Sequence, residues 1–190
     1  MCGRFMFQPE QNPETKRIYE LANKNGYQVS TGEVFPSDLT ALVIGKDKKV
    51  QVVGMKWGFP GFEKGQTLIN ARAETAGTKK TFANSFKFRR AVYPTTGFFE
   101  WTSQKDKVYF NYDRKPSPLY IGGFYNYFDG QPKSILLTTE PNSSVRRVHN
   151  RMPLLLRKDQ IKPWLSNEKF AKMLSKQPMP NLFGVETNKK

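Results

Sequence analysis

The sequence predicts an α+β fold that is rich in β-strands and forms a single domain. Three observations lead to this prediction. The chain has 190 residues, a length that suits one domain with its own core. Short strand-like runs of alternating or aromatic residues outnumber the helical patterns. Strands and helices also do not alternate in the regular order that indicates a parallel α/β sheet.

Helices are predicted from capping residues and apolar periodicity. Asn12 precedes Pro13 and Glu14, a combination that is typical of a helix N-terminus, and this helix should end near 25–26. A short helix should follow Asn142 and run towards His149. Two more helices are expected near the end of the chain, at 158–165 and 167–174.

Strands are predicted at 39–45, 49–53, 91–101, 108–112, 119–128 and 134–138. Pro94 should break the third of these, and the pair Gly122-Gly123 should introduce a bulge into the fifth. The segment 56–65 carries Gly and Pro between aromatic residues and is predicted to be a loop. The predicted domain covers residues 1–176, and 177–190 are predicted to be a weakly structured tail.

The charge of the chain predicts a polyanionic partner. Its 31 Lys and Arg residues oppose 16 Asp and Glu residues, which gives a formal net charge of +15. A compact cationic domain repels itself unless it binds an anion, and nucleic acid is the most common such partner. Aromatic residues make up 14% of the chain, so some rings are available for a surface. The alternative is a cationic surface that serves solubility alone.

Several classes of protein and site are excluded by composition. The single Cys cannot form an intramolecular disulfide, and one Cys with one His cannot complete a four-ligand zinc site. No apolar run approaches the roughly 18 residues of a spanning helix, and no secretory signal follows the first residues. Standard nucleotide-binding loops are absent. A soluble, reduced, intracellular protein without metal or cofactor is therefore expected.

Cys2 is the residue with the most distinctive chemistry. Methionine aminopeptidases remove Met1 when the second residue is small, and the mature chain would then begin with Cys2. Its α-amine would have a pKa of about 7.7–8.0, so a part of it is neutral and nucleophilic at neutral pH. An aldehyde could form an imine with the amine, and the thiol could close it to a thiazolidine. The alternative is an inert Cys that happens to be second.

Three further positions could carry chemistry, each with an ordinary alternative. His149, the only His, lies at the boundary between a helical stretch and an apolar run, although a lone His is more often structural. Glu100 lies among Phe98, Phe99 and Trp101. If it is buried, its raised pKa suits proton transfer, whereas strand alternation favours an exposed Glu. The polar stretch 70–75 could bind a phosphate through Arg72 or could be a capped turn.

Five motifs resemble the SRAP family, the SOS response-associated peptidase proteins. The matching segments are Met1-Cys2-Gly3-Arg4-Phe5, Trp57-Gly58, Ile69-Asn70-Ala71-Arg72-Ala73-Glu74-Thr75, Gly97-Phe98-Phe99-Glu100-Trp101 and His149-Asn150-Arg151-Met152-Pro153. They occur in the family's order, span residues 1 to about 156, and include the sole Cys and the sole His.

The resemblance implies specific residue roles. The family's terminal Cys, here Cys2, forms the thiazolidine with the abasic sugar, and Asn70 helps to place it. Glu100 orients the α-amine and assists proton movement. His149 helps to open the sugar ring and takes part in reversal. The positions that match DNA contacts in the family are Arg4, Arg72, Trp101, Thr138, Arg151 and Pro36.

The resemblance also implies a barrel-like α+β fold with flanking helices and a positively charged groove. The expected protein is a monomer that senses abasic sites in single-stranded DNA during the DNA-damage (SOS) response and crosslinks to them covalently. The resemblance implies an enzyme of a class described as peptidase, hydrolase or lyase that modifies itself. The segment 32–36 departs from the family pattern, since only Pro36 is retained, so base contacts there are less defined.

Two other functions remain open from the sequence. One is a thiol autopeptidase that removes its own initiator Met, with Cys2 as nucleophile and His149 as base. The other is a non-covalent module that binds single-stranded DNA, which accounts for the charge and the aromatic residues but leaves Cys2 and Glu100 without a role.

Overall fold

The structure, a computed structural model, describes residues 2–47, 49–113 and 117–187. Met1 and the last three residues of the predicted tail lie outside these ranges. The strands are β1 (Arg4–Phe7), β2 (Gly32–Val34), β3 (Leu39–Lys46), β4 (Lys49–Trp57), β5 (Phe59–Pro60), β6 (Thr67–Leu68), β7 (Asn70–Arg72), β8 (Arg90–Thr95), β9 (Gly97–Trp101), β10 (Lys107–Asn111), β11 (Leu119–Phe128), β12 (Gln131–Thr139), β13 (Met152–Pro153), β14 (Leu155–Leu156) and β15 (Phe183–Glu186). The α-helices are α1 (Pro13–Lys24), α2 (Ala73–Ala76), α3 (Lys80–Phe88), α4 (Ser143–Arg146), α5 (Ile161–Ser166) and α6 (Glu168–Leu174).

A closed barrel forms the centre of the fold. Each strand pairs with the next around the ring, in the order β12-β4-β3-β8-β11 and back to β12. The contact between β12 and β4 is parallel, and the other contacts of the ring are antiparallel. The short strand β7 attaches to β12 in parallel. The predicted α+β, β-rich and barrel-like single domain is confirmed.

A second, antiparallel sheet places the amino terminus beside the barrel. Its order is β15-β10-β9-β1-β2, so β1 lies between β9 and β2. Phe5 of β1 is buried and packs its ring 5.3 Å from that of Trp57 and 6.0 Å from that of Tyr93, both on barrel strands. Burial of aromatic area of this kind contributes much of the energy that fixes one element on another. The first residues of the chain are therefore held against the barrel.

The helices flank the barrel, and α1 has the boundaries expected from its capping residues. The side chain of Asn12 accepts a hydrogen bond from the backbone N–H of Glu14 (2.8 Å), and Gly26, with a φ of 84°, follows the helix end. The buried Arg90 donates to the carbonyl groups of Phe86 and Trp164. These bonds satisfy carbonyl groups of α3 and α5 that the helices leave open.

The strand break predicted at Pro94 and the bulge predicted at Gly122-Gly123 do not occur at those positions. Pro94 lies inside β8, where β3 pairs only with residues 91 and 92, so the missing N–H of Pro94 faces no β3 partner. The break comes at Thr96 instead. β11 runs through Gly122 and Gly123 in unbroken register with β8. A Cβ on Gly123 would lie 2.5 Å from the carbonyl oxygen of Ile135, so this glycine permits close strand approach and makes no bulge.

Two segments are more ordered than expected. Within the predicted loop 56–65, Phe59 and Pro60 pair with Leu68 and Thr67 in a small hairpin. In the predicted tail, β15 pairs antiparallel with β10, although its residues stay exposed. The preceding apolar residues Met179 and Leu182 are buried and anchor this segment. The domain boundary at residue 176 stays a prediction.

Candidate active site

The site is built around Cys2, which directly precedes β1 and is completely buried. The carbonyl oxygen of Cys2 accepts a hydrogen bond of 2.9 Å from the side-chain amide of Asn70. Asn70 begins β7, and its pairing with Leu136 fixes it on the barrel. The Cys2 thiol lies 3.7 Å from the carbonyl oxygen of Arg4. A side chain from the barrel thus holds the backbone at the reactive residue.

Glu100 and His149 meet beside Cys2. Glu100 lies on β9, whose residue Phe99 pairs with Arg4 of β1, so the two strands bring Glu100 next to the amino terminus. Its side chain is only 2% exposed, so the prediction from strand alternation that Glu100 is exposed is wrong. The Nε2 atom of His149 lies 3.9 Å from Glu100 Oε2. The structure brings together all four predicted catalytic residues, and Cys2, Asn70, Glu100 and His149 are here named the amino-terminal cluster.

Burial sets the protonation states of this cluster. Desolvation raises the pKa of Glu100 to about 7, so this carboxyl group exchanges its proton near neutral pH. Burial raises the pKa of the Cys2 thiol far above its ordinary value, and the negative charge of Glu100 raises it further. Burial lowers the pKa of His149. At neutral pH the cluster therefore holds a neutral thiol, a neutral imidazole and a carboxyl group close to its midpoint.

The backbone of Arg151 contacts the other ring nitrogen of His149. The Arg151 N–H donates to Nδ1 at 3.1 Å, and the Arg151 carbonyl oxygen lies 3.3 Å from the same atom. Because a backbone N–H is always a donor, it favours the neutral tautomer with its proton on Nε2, on the side of Glu100. The carbonyl oxygen offers an acceptor to the protonated ring. One residue thus supplies a backbone partner for each protonation state of His149.

The side chain of Arg151 is bound within the protein. It donates to both carboxylate oxygens of Glu74, at 3.0 and 2.9 Å, and to the carbonyl oxygen of Thr138 at 2.7 Å. The hydroxyl group of Thr139 donates to the same carboxylate. The family resemblance implies a DNA contact for Arg151 and no role for Glu74. The only signal for Glu74 was its place in the 70–75 motif.

The remaining predicted DNA contacts fall into two places. Arg72 is exposed at the end of β7, opposite the buried Thr138 on β12. Arg4 lies between two aromatic rings, with its guanidinium carbon 4.1 Å from the ring centre of Phe35 and 5.1 Å from that of Trp101. Pro36 directly follows Phe35.

A partly exposed edge is formed by Phe35, Arg4 and Trp101, and it is here named the aromatic patch. The positive charge of Arg4 is partly neutralised, because Arg4 and the neighbouring Lys107 both form ion pairs with Glu33. Phe35 and Lys107 are not predicted from the sequence. The only available signal for Phe35 is its position beside the retained Pro36. Aromatic rings beside cations suit unpaired bases and phosphates.

The described ranges contain no group of three or more His, Cys, Asp or Glu side chains that could hold a metal ion. No helix within them is long and apolar enough to cross a membrane.

The raised pKa of Glu100 predicts a stability change with pH. The folded state binds the Glu100 proton more tightly than the unfolded state does, so this group stabilises the fold below its ordinary pKa of 4.5, and the effect is lost as pH rises through about 7. Glu100→Gln cannot ionise. We expect it to raise the free energy of unfolding at about pH 8 by on the order of 1–3 kcal/mol, and by less at about pH 5.

Urea unfolding at the two pH values measures this effect. The exposed Glu140 provides the matched control, since Glu140→Gln removes the same charge from the surface. If Glu100→Gln lowered the stability at the higher pH, the ionised carboxylate would be well compensated in the fold and its pKa would not be raised.

Known proteins resemble this chain in sequence and in fold. A family described as SOS response associated peptidase (SRAP) matches residues 1–186. The abasic site processing protein YoaM of Bacillus subtilis is 31% identical over 181 residues, covering 87% of this chain and 79% of that protein. The abasic site processing protein YedK of Escherichia coli is 25% identical over 179 residues, covering 88% and 81%.

Solved structures share the fold at lower identity. A phage-related protein from Bordetella bronchiseptica superposes with a TM-score of 0.75 and 18% identity, covering 99% of this chain and 95% of that one. A protein from Bacteroides thetaiotaomicron gives a TM-score of 0.75 and 19% identity, with 98% and 93% covered.

Proposed function

The chain belongs to the SOS response associated peptidase family, and on that premise we propose that it processes abasic sites in DNA by bonding covalently to the sugar aldehyde through Cys2. The observation that carries this proposal is the amino-terminal cluster. It holds a potential terminal aminothiol on a fixed backbone, with a carboxyl group and an imidazole 3.9 Å apart beside it. The relatives named for abasic site processing support the same substrate.

The proposed reaction begins once Met1 has been removed. The free α-amine of Cys2 adds to the aldehyde carbon of the open sugar, and loss of one water leaves an imine. The thiol then adds to the imine carbon, which forms the C–S bond, and the S–H proton moves to the nitrogen. The net change is aldehyde plus aminothiol giving thiazolidine plus one water. A partly neutral amine at neutral pH suits the first step.

The protonation states of the cluster support this order of events. Burial keeps the Cys2 thiol neutral, which favours attack by the amine first and ring closure by the thiol afterwards. A thiol hydrolase needs the opposite, a cysteine that is activated by a neighbouring base or whose pKa is lowered by a positive neighbour. Here the Nε2 atom of His149 faces Glu100, and the carboxyl group of Glu100 raises the pKa of the Cys2 thiol. The autopeptidase alternative is correspondingly less well supported.

Glu100 and His149 divide the proton transfers in this proposal. With a pKa of about 7, Glu100 can take a proton from the amine and return it as water leaves. His149, with its neutral tautomer carrying the proton on Nε2, can deliver a proton to the ring oxygen of the closed sugar. Asn70 keeps the Cys2 backbone from moving as these bonds form.

The DNA would approach across cationic and aromatic surfaces. Arg72 is exposed near the cluster and suits a backbone phosphate. The aromatic patch suits bases that are already unpaired, which favours single-stranded DNA. Because these contacts carry little sequence information, the protein should accept an abasic site in any flanking sequence.

Intact-mass measurement after mixing with DNA tests the proposal. The probe is a single-stranded oligonucleotide with one abasic site, and the control is the same oligonucleotide with a tetrahydrofuran analogue that has no aldehyde. We expect a species equal to the Met1-free protein plus the oligonucleotide minus one water, and only with the true abasic site. A peptide clipped from the protein would support the peptidase alternative, and binding without an adduct would support the non-covalent module.

A further inference from the structure

We propose that Glu74 and Arg151 form a clamp that positions His149, with Arg151 acting on the ring through its own backbone. The inference deepens the proposed function, since His149 is its proposed sugar-side acid. It rests on the hydrogen bonds of the Arg151 side chain and backbone, which connect three separate parts of the chain.

The clamp joins α2, β12 and the segment that carries His149. Glu74 lies in α2, directly after β7, and accepts two parallel hydrogen bonds from the Arg151 guanidinium. The same guanidinium donates to the carbonyl oxygen of Thr138 in β12, and Thr139 adds a donor to the carboxylate. A bidentate Arg–carboxylate pair fixes orientation as well as distance. Arg151 is thereby anchored from two sides.

Anchoring Arg151 fixes the ring of His149. Both backbone polar groups of Arg151 lie within 3.3 Å of His149 Nδ1. A small shift of the Arg151 backbone would therefore change the tautomer preference of the ring and its 3.9 Å separation from Glu100. The carboxyl group of Glu100 faces the ring from β9. Partners that orient a reactive His often matter almost as much as the His itself.

The environment of Arg151 favours a fixed side chain. Its side chain is only 16% exposed, and the carboxylate of Glu74 neutralises its charge locally. Both terminal nitrogens donate to protein acceptors, so the guanidinium is bound on both sides.

The first test measures the tautomer and the titration of the His149 ring in the absence of DNA. Because His149 is the only His in the chain, nitrogen NMR of histidine-labelled protein reports this ring alone. We expect the parent at high pH to show the tautomer protonated on Nε2. Glu74→Gln and Arg151→Lys should both move the tautomer ratio towards that of free histidine and shift the titration midpoint. Glu140→Gln, an exposed change of the same charge, should leave both unchanged.

The second test measures capture of an abasic oligonucleotide and non-covalent affinity for an intact one. Glu74→Gln should slow adduct formation about 10-fold, because misplacing a catalytic group by a fraction of an ångström has effects of this size. Its DNA affinity should stay equal or rise, since a negative charge is removed. If Glu74→Gln folded poorly, Thr139→Val, which removes only one donor to the carboxylate, should show smaller changes in the same direction.

The outcomes separate this inference from the proposed function. A parental tautomer ratio, titration midpoint and capture rate in Glu74→Gln would overturn the clamp. A parent that forms no adduct would overturn the proposed function, whereas the NMR result would still decide whether Glu74 and Arg151 position His149.

Discussion

Replacing Cys2 with Ala should abolish the heat-stable adduct with abasic single-stranded DNA. The Ala variant keeps the terminal amine after Met1 removal, so it can form only an imine, which water hydrolyses. The thiol is needed for the second bond, and Cys2 is the only cysteine in the chain, so no other residue can supply it. Heating the mixtures before denaturing electrophoresis distinguishes the two species, and a reductant added beforehand traps the imine.

Two companion variants separate the amine from the thiol. Cys2→Ser has nearly the shape of Cys and should also give only the labile imine. Inserting Glu between Met1 and Cys2 keeps the thiol but blocks removal of Met1, and it should give no stable adduct. An adduct of Cys2→Ala that survives heating without reductant would rule out a thiazolidine.

The sequence predicts the fold well where local signals act alone. The capping residues around Asn12 and Pro13 define α1, and alternation locates β3, β10 and β11 within a residue or two. Local patterns do not reveal long-range pairing. The tolerance of Pro94 depends on where β3 stops pairing with β8, and the need for Gly123 depends on the carbonyl oxygen of Ile135.

The candidate site shows the same division between local and distant information. The residue types and the family resemblance indicate Cys2, Asn70, Glu100 and His149, and the structure brings them together. The burial of Glu100 could not be predicted from the alternation pattern of its strand, because distant parts of the chain cover both faces of β9. The pairing of Arg151 with Glu74 joins residues 77 positions apart, so no local pattern contains it.

Glu100 and His149 should affect different steps of capture. Glu100→Gln keeps the shape of the side chain and its hydrogen bonding but cannot carry a proton. A single general acid–base group contributes about 10²–10⁴-fold, so adduct formation should slow within that range while non-covalent DNA affinity stays the same. The loss should be greatest above about pH 7, where the parent carboxyl group, with its pKa of about 7, is mostly ionised and able to act as a base. A time course of adduct formation at several pH values measures this.

His149→Ala should slow both capture and release, because the abasic sugar is mostly closed and the same proton path opens the ring and reverses the thiazolidine. A chase with excess unlabelled abasic DNA, started after the adduct has formed, measures the rate of release separately from the rate of capture. Glu140→Gln serves as the control in both measurements. Faster release from His149→Ala than from the parent would mean that His149 protects the adduct and does not transfer the proton.

A parental capture rate in Glu100→Gln would leave Glu100 as a buried strand residue without a catalytic role, and the amine of Cys2 would then have to lose its proton to water.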